Sequence, residues 1–253
     1  MPLNIHDQPL PYIDQLPERD PGSVEMVVIH CTELPDLATA REYGERPQHE
    51  NGTGNCGHYY VDRDGAIYGY VPTTRVAHHV RGHNLNSIGI ELVNLGRYPH
   101  WWDSRHQIMT EPYTDAQITA LVDLLQQLRL NHANLHAIAG HEDLDTARIP
   151  ASDDASKDVS RKLDPGHLFP GKQRAWVELA RHVLRGVIAG RYARGIQVFM
   201  SGDGVQIGVI EAELLKQVNQ RGDLRVGVWL GHDLVARIPP VRIATQVHQL
   251  DAD

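Results

Sequence analysis

Gly140-His141-Glu142-Asp143 and Arg161-Lys162-Leu163-Asp164-Pro165-Gly166 are the two ends of one stretch, residues 140–166, around which the chain is organised. His141 offers a ring nitrogen and Asp164 a carboxylate oxygen, both acceptable zinc donors. Lys162 puts a cation two residues before Asp164. Between the two ends, Ala151 to Ser160 is polar and reads as a solvated loop. Two donors are too few for a catalytic zinc, which takes three protein ligands. At least one more must come from elsewhere in the chain.

Working outward toward the N-terminus, His136 to Gly140 (HAIAG) reads as a short strand that delivers His141 at its end. Thr114-Asp115-Ala116-Gln117 has the pattern of a capping box and opens a helix to about Leu130. Ile118, Leu121, Val122, Leu125 and Leu128 give that helix one buried face. Arg97 to Pro112 is a loop whose Trp101 and Trp102 either line a groove or cap the core. Ser87 to Asn94 (SIGIELVN) is a strand with Ile88 and Ile90 on one face and Gly89 and Glu91 on the other. A carboxylate there is expensive to bury unless it is paired or working. His58 to Val61 and Ala66 to Val71 flank Asp62-Arg63-Asp64-Gly65 as a hairpin. Leu37 to Arg46 reads as a short helix, and Gln48 to Gly57 as a loop. Val24 to His30 (VEMVVIH) is a buried strand ending on a histidine, as the 136–140 strand does. Residues 1–23, with Pro9, Pro11, Pro17 and Pro21 among them, read as an arm without strand or helix.

Toward the C-terminus, Trp176, Leu179, Ala180, Val183 and Val187 mark an amphipathic helix over 172–187. From about Gly190 the organisation restarts as a strand over 196–200, a helix carrying Ile210, Leu214 and Val218, and a hairpin around Gly231-His232-Asp233. About sixty residues are too few for a very stable core, so this unit is expected to pack on the main domain or a partner.

With 253 residues, 41% apolar and 22% charged, the chain has an ordinary globular composition. The formal charge of −8 and the lack of a long basic block speak against nucleic acid as the main partner. Sixteen histidines justify a search for a metal site. Two cysteines, Cys31 and Cys56, make no disulfide framework. No export signal and no membrane span are legible, which suits a cytoplasmic protein. The mature form of a periplasmic or secreted protein would look the same.

Taken in order, Val27-Val28-Ile29-His30, His58 to Gly65, Ser87 to Leu92, Gly140-His141 and Arg161 to Gly166 resemble the zinc-dependent N-acetylmuramoyl-L-alanine amidases, the family that includes peptidoglycan-recognition proteins. The resemblance covers roughly residues 24–186. It implies a central mixed β-sheet flanked by helices, an α/β fold, with the 190–253 unit as a small α+β appendage. It implies one Zn2+ per chain held by His30, His141 and Asp164, with Glu91 and Lys162 catalytic and His79 and Asn84 in the substrate groove. His78 is the weaker candidate for the groove histidine. The implied partners are peptidoglycan or muropeptide fragments, and the implied bond is the amide between the lactyl group of N-acetylmuramic acid and L-alanine. Some relatives of this fold bind peptidoglycan without cutting it, but these tend to lack a zinc ligand. The chain departs from the pattern in two places. His141 and Asp164 stand 23 residues apart, so about 145–160 reads as an insertion. The tail, 190–253, matches no wall-binding module, and self-association through it stays open.

Overall fold

A computed structural model describes residues 3–169, 195–201 and 204–210. Six strands form one mixed sheet: β1 (Ile5–Asp7), β2 (Met26–Cys31), β3 (Tyr59–Val61), β4 (Ile67–Gly69), β5 (Ser87–Leu92) and β6 (Ala137–Gly140). Their order is β1-β4-β3-β5-β2-β6, and only the β3–β4 hairpin pairs antiparallel. That hairpin turns at Gly65, whose φ of 86° suits a residue without a Cβ. Helix α1 spans Leu37–Glu45 and α2 spans Asp115–Asn131. The Thr114 hydroxyl accepts from the Gln117 N–H, and the Gln117 side chain accepts from the Thr114 N–H, so the capping box is formed at both ends.

Period-two alternation divides the two central strands cleanly. Val27 and Ile29 of β2 and Ile88, Ile90 and Leu92 of β5 join Leu121, Leu124, Leu125 and Leu128 of α2 in one buried cluster. The opposite face of the same strands carries His30, Gly89 and Glu91, as the alternation predicts. One face of the sheet therefore makes the main core, and the other carries the donor residues on β2 and β5 and buries Tyr60 of β3 in a second cluster.

Two expectations are corrected. The arm is not free of regular structure: β1 pairs in parallel with β4, and short 3₁₀ turns follow at Ile13–Gln15 and Pro21–Ser23. Its Leu10, Tyr12 and Leu16 are buried in a second apolar cluster with Tyr60 and Tyr70, so burial fastens the arm down. Nor is 151–160 wholly a solvated loop, although most of 152–158 is exposed. Residues 148–160 fold as an antiparallel hairpin of β7 (Arg148–Pro150) and β8 (Asp158–Ser160), with Ala151 and Val159 buried. It is clamped to the 97–107 loop: the Ser104 N–H and hydroxyl donate to Asp153, and the Ser152 N–H to the Trp102 carbonyl. Trp101 donates to the Glu33 carbonyl and packs on the second cluster, whereas Trp102 is half exposed.

Past the main sheet, β9 (Gly195–Ser201) pairs antiparallel with β10 (Gly204–Ile210). The strand expected over 196–200 is there, but Ile210 ends a second strand instead of opening a helix. The helix expected over 172–187 and the hairpin around Gly231 lie outside the described residues. Among the described residues, no helix is long and apolar enough to cross a membrane.

Candidate active site and metal centre

Three elements deliver three donors to one point. His30 lies near the end of β2, where buried neighbours hold its backbone. His141 opens the short helix α3 (His141–Leu144) directly after β6, itself paired with β2. Asp164 is brought in by the segment after the β7–β8 hairpin: the Glu142 N–H donates to its carbonyl, and the Tyr113 hydroxyl donates to the carbonyl of Pro165. Gly140 must be small here, since a Cβ would stand 2.9 Å from Cδ of Pro165.

Although 111 and 134 residues separate His30 from its two partners, the donor atoms meet. His30 Nδ1 is 2.9 Å from His141 Nδ1, and each is 3.1 Å from Asp164 Oδ2. All three side chains are buried. Donors on a tetrahedral zinc with bonds of about 2.0–2.1 Å stand about 3.3 Å apart, so this triangle is a few tenths of an ångström tighter than a loaded site. Asp164 Oδ1 is buried with no hydrogen-bond partner. Two imidazole nitrogens and a carboxylate oxygen aimed at one point, with an orphaned oxygen beside them, fit a metal ion better than a hydrogen-bond network.

Electrostatics agree with that reading. Burial pushes His30 down to about 4, against the pull of Asp164, so its ring is neutral at pH 7 as a ligand must be. Burial alone would raise Asp164, but His141, the histidine hydrogen bonds and Lys162 hold it well below the usual carboxylate range.

Glu91 is paired in register with His30 on the neighbouring strand, and its Oε1 is 4.0 Å from His30 Nδ1. Burial first, then the Asp164 carboxylate, push it up to about 8, against the Lys162 cation. A Cβ on Gly57 would stand 2.8 Å from Cγ of Glu91, so that glycine leaves the space the carboxylate occupies. The Lys162 charge favours the less protonated form of His30, Glu91 and Asp164 alike.

His79 and Asn84 lie beside the donor cluster, both partly exposed. His79 Nδ1 is 3.0 Å from His30 Nε2, and its Nε2 is 3.2 Å from Ser87 Oγ. Asn84 Oδ1 accepts from the N–H groups of His79 and Val80, which fixes the turn carrying His79. His78 packs against the ring of His49. Cys31 and Cys56 are free and buried.

Sequence reasoning missed one pair. Arg97 Nε donates to Glu33 Oε1 at 2.6 Å and its Nη2 to Oε2 at 2.9 Å, with both residues buried. Arg97 Nη1 donates to the carbonyl of Ser160 at 2.9 Å. The pair thus ties the chain leaving β2, just past His30, to the chain about to supply Lys162 and Asp164.

Comparison with known proteins agrees with this geometry. The family model Amidase_2, N-acetylmuramoyl-L-alanine amidase, matches residues 20–167. No curated protein matches the sequence. Among solved structures, the N-acetylmuramoyl-L-alanine amidase LysC from Clostridium intestinale URNW is 20% identical, covering 72% of this chain and 98% of its own, with a TM-score of 0.50. The E. coli amidase AmiD, solved with anhydro-N-acetylmuramic acid-L-Ala-D-gamma-Glu-L-Lys, is 24% identical, covering 68% of this chain and 66% of its own, at 0.45. The Drosophila peptidoglycan recognition protein SA is 17% identical, covering 65% and 87%, at 0.43. The family model spans more than half of the chain, every one of the five implied metal and catalytic residues falls within it, and the chain belongs to the N-acetylmuramoyl-L-alanine amidase family.

Proposed function

We propose that this amidase is zinc-dependent and cuts the amide between the lactyl carbonyl of N-acetylmuramic acid and L-alanine in peptidoglycan or its soluble fragments. The observation that carries the proposal is the convergence of His30, His141 and Asp164, with Glu91 beside them. Held by those three donors, a zinc ion would polarise the scissile carbonyl and acidify a water.

The chain's own residues do the rest. Glu91 takes a proton from the attacking water as the water oxygen bonds to the lactyl carbon. The carbon–nitrogen bond then breaks, and Glu91 returns the proton to the departing amine of L-alanine. Burial raises the Glu91 carboxyl above the usual carboxylate range, which brings its proton exchange closer to neutral pH. Lys162 offers its cation to the oxygen that becomes negative as the carbonyl is attacked. The apolar strands behind the site limit water access and strengthen each of these interactions. A non-catalytic, peptidoglycan-binding role is disfavoured because the donor set is whole and Glu91 is in reach of it.

The test is a pair of variants. Glu91→Gln keeps the shape, so it should retain zinc and lose hydrolysis by about 10²–10⁴-fold. His141→Ala should lose bound zinc. Near-full activity in Glu91→Gln, or full metal occupancy in His141→Ala, would overturn the assignment.

A further inference from the structure

Ser87, Gly89 and Glu91 alternate onto one face of β5, the face that carries the donor cluster. Glu91 already has a role there. Ser87 and Gly89 build something different: a seat for the ring of His79. A Cβ on Gly89 would stand 2.6 Å from Cγ and 2.7 Å from Nδ1 of His79, so the imidazole fills the space a side chain would take. The ring is held at both nitrogens, by Ser87 Oγ at 3.2 Å and by His30 Nε2 at 3.0 Å.

The direction of each hydrogen bond follows from the far end of this chain. Ser87 Oγ is 2.6 Å from the carbonyl oxygen of His83. A carbonyl only accepts, so the single hydroxyl proton of Ser87 points there. Toward His79 the Ser87 oxygen can then only accept, which places a proton on His79 Nε2. A neutral imidazole has one proton, so His79 Nδ1 is a bare lone pair. It faces His30 Nε2, which must donate. The other His30 nitrogen, Nδ1, is then the unprotonated one, and it is the atom that meets His141 and Asp164.

We infer that His79, seated over Gly89 and oriented by Ser87, is a positioning residue that fixes the tautomer of His30 so that Nδ1 is free to bind the metal. This inference rests on the metal reading above. It departs from the groove role that the resemblance implied for His79, because both ring nitrogens are spent inside the protein.

The experiment uses the full chain. In metal-free, 15N-labelled protein at neutral pH, long-range proton–nitrogen spectra should show His30 and His79 both protonated at Nε2. A His30 protonated mainly at Nδ1 would overturn the inference, whatever the variants do. Zn2+ alone, titrated against a competing chelator, supplies the second readout. His79→Phe keeps a ring in the seat and should weaken zinc binding about 10–100-fold. Ser87→Ala frees the His79 proton to occupy either nitrogen, so the His30 signal should become mixed and the affinity should fall less. A folded His79→Phe with wild-type zinc affinity would also overturn the inference. If wild-type protein binds no zinc yet shows the Nε2-protonated His30, the relay stands and the metal reading fails.

Discussion

Replacing Arg97 with methionine tests how the site is held together. The guanidinium makes two hydrogen bonds to Glu33, at 2.6 and 2.9 Å, and reaches the carbonyl of Ser160 at 2.9 Å and Gln107 Oε1 at 3.2 Å. The Arg97 side chain is 1% exposed and that of Glu33 is 10% exposed. Methionine fills much of the space but leaves the Glu33 carboxylate buried without its partner. Breaking a buried pair from one side costs about 3–5 kcal/mol. For a chain of this size each kcal/mol lowers the melting temperature by about 2–4 °C, so the expected drop is about 6–20 °C. The assay is chemical or thermal unfolding of Arg97→Met, of Glu33→Met, and of the double variant. Replacing both partners removes the stranded charge, so the double variant should lose less than Arg97→Met alone. Zinc affinity should fall in Arg97→Met too, since the pair spans from the end of β2 to the approach of Asp164. A loss below about 1 kcal/mol, the range of an exposed pair, would refute the argument that this pair is a buried clamp.

Acid should loosen the insertion before the sheet. Hydrogen bonds from Ser104 hold Asp153 below its ordinary value, and Arg161, outweighing burial, does the same for Asp145. Carboxylates depressed in the folded state contribute stability above their unfolded value of 3.8, and that contribution is lost as pH falls through the folded values. Hydrogen exchange should therefore show the β7–β8 hairpin opening below about pH 4 while β2 and β5 stay protected; simultaneous loss of both would contradict the clamp. Gly57→Ala should cost activity more than stability, because its methyl would meet Cγ of Glu91 at 2.8 Å; steady-state rates alongside unfolding midpoints check this, and an unchanged rate would count against the placement of Glu91.

The site was legible where short-range rules apply. Alternation in Ser87 to Leu92 separates Ile88 and Ile90 from Gly89 and Glu91 without any tertiary information. Strand ends at His30 and the Gly140-His141 junction suggested a common rim, and the structure brings them together with Asp164. What escaped depends on partners distant in sequence. β1 has only three residues, and its pairing with β4 is non-local. The insertion strands each carry one inward apolar residue, Ile149 or Val159, too few for a periodic signal, and side-chain clamps to the 97–107 loop complete them. The Glu33–Arg97 pair joins residues 64 apart. The resemblance singled out His79 over the neighbouring His78, but nothing local says what seats its ring. That is decided by the empty side of Gly89 on another strand.

The central claim is that His30, His141 and Asp164 hold a zinc ion with which Glu91 opens the muramyl–alanine amide. It is tested most directly by mass spectrometry of the products formed by zinc-loaded protein in 18O-labelled water, from soluble anhydromuropeptides and from intact sacculi. The account predicts a free peptide beginning with L-alanine and a single labelled oxygen on the lactyl carboxylate, with neither product in Glu91→Gln. Cleavage at a peptide or glycosidic bond, or the same labelled product from Glu91→Gln, would contradict it.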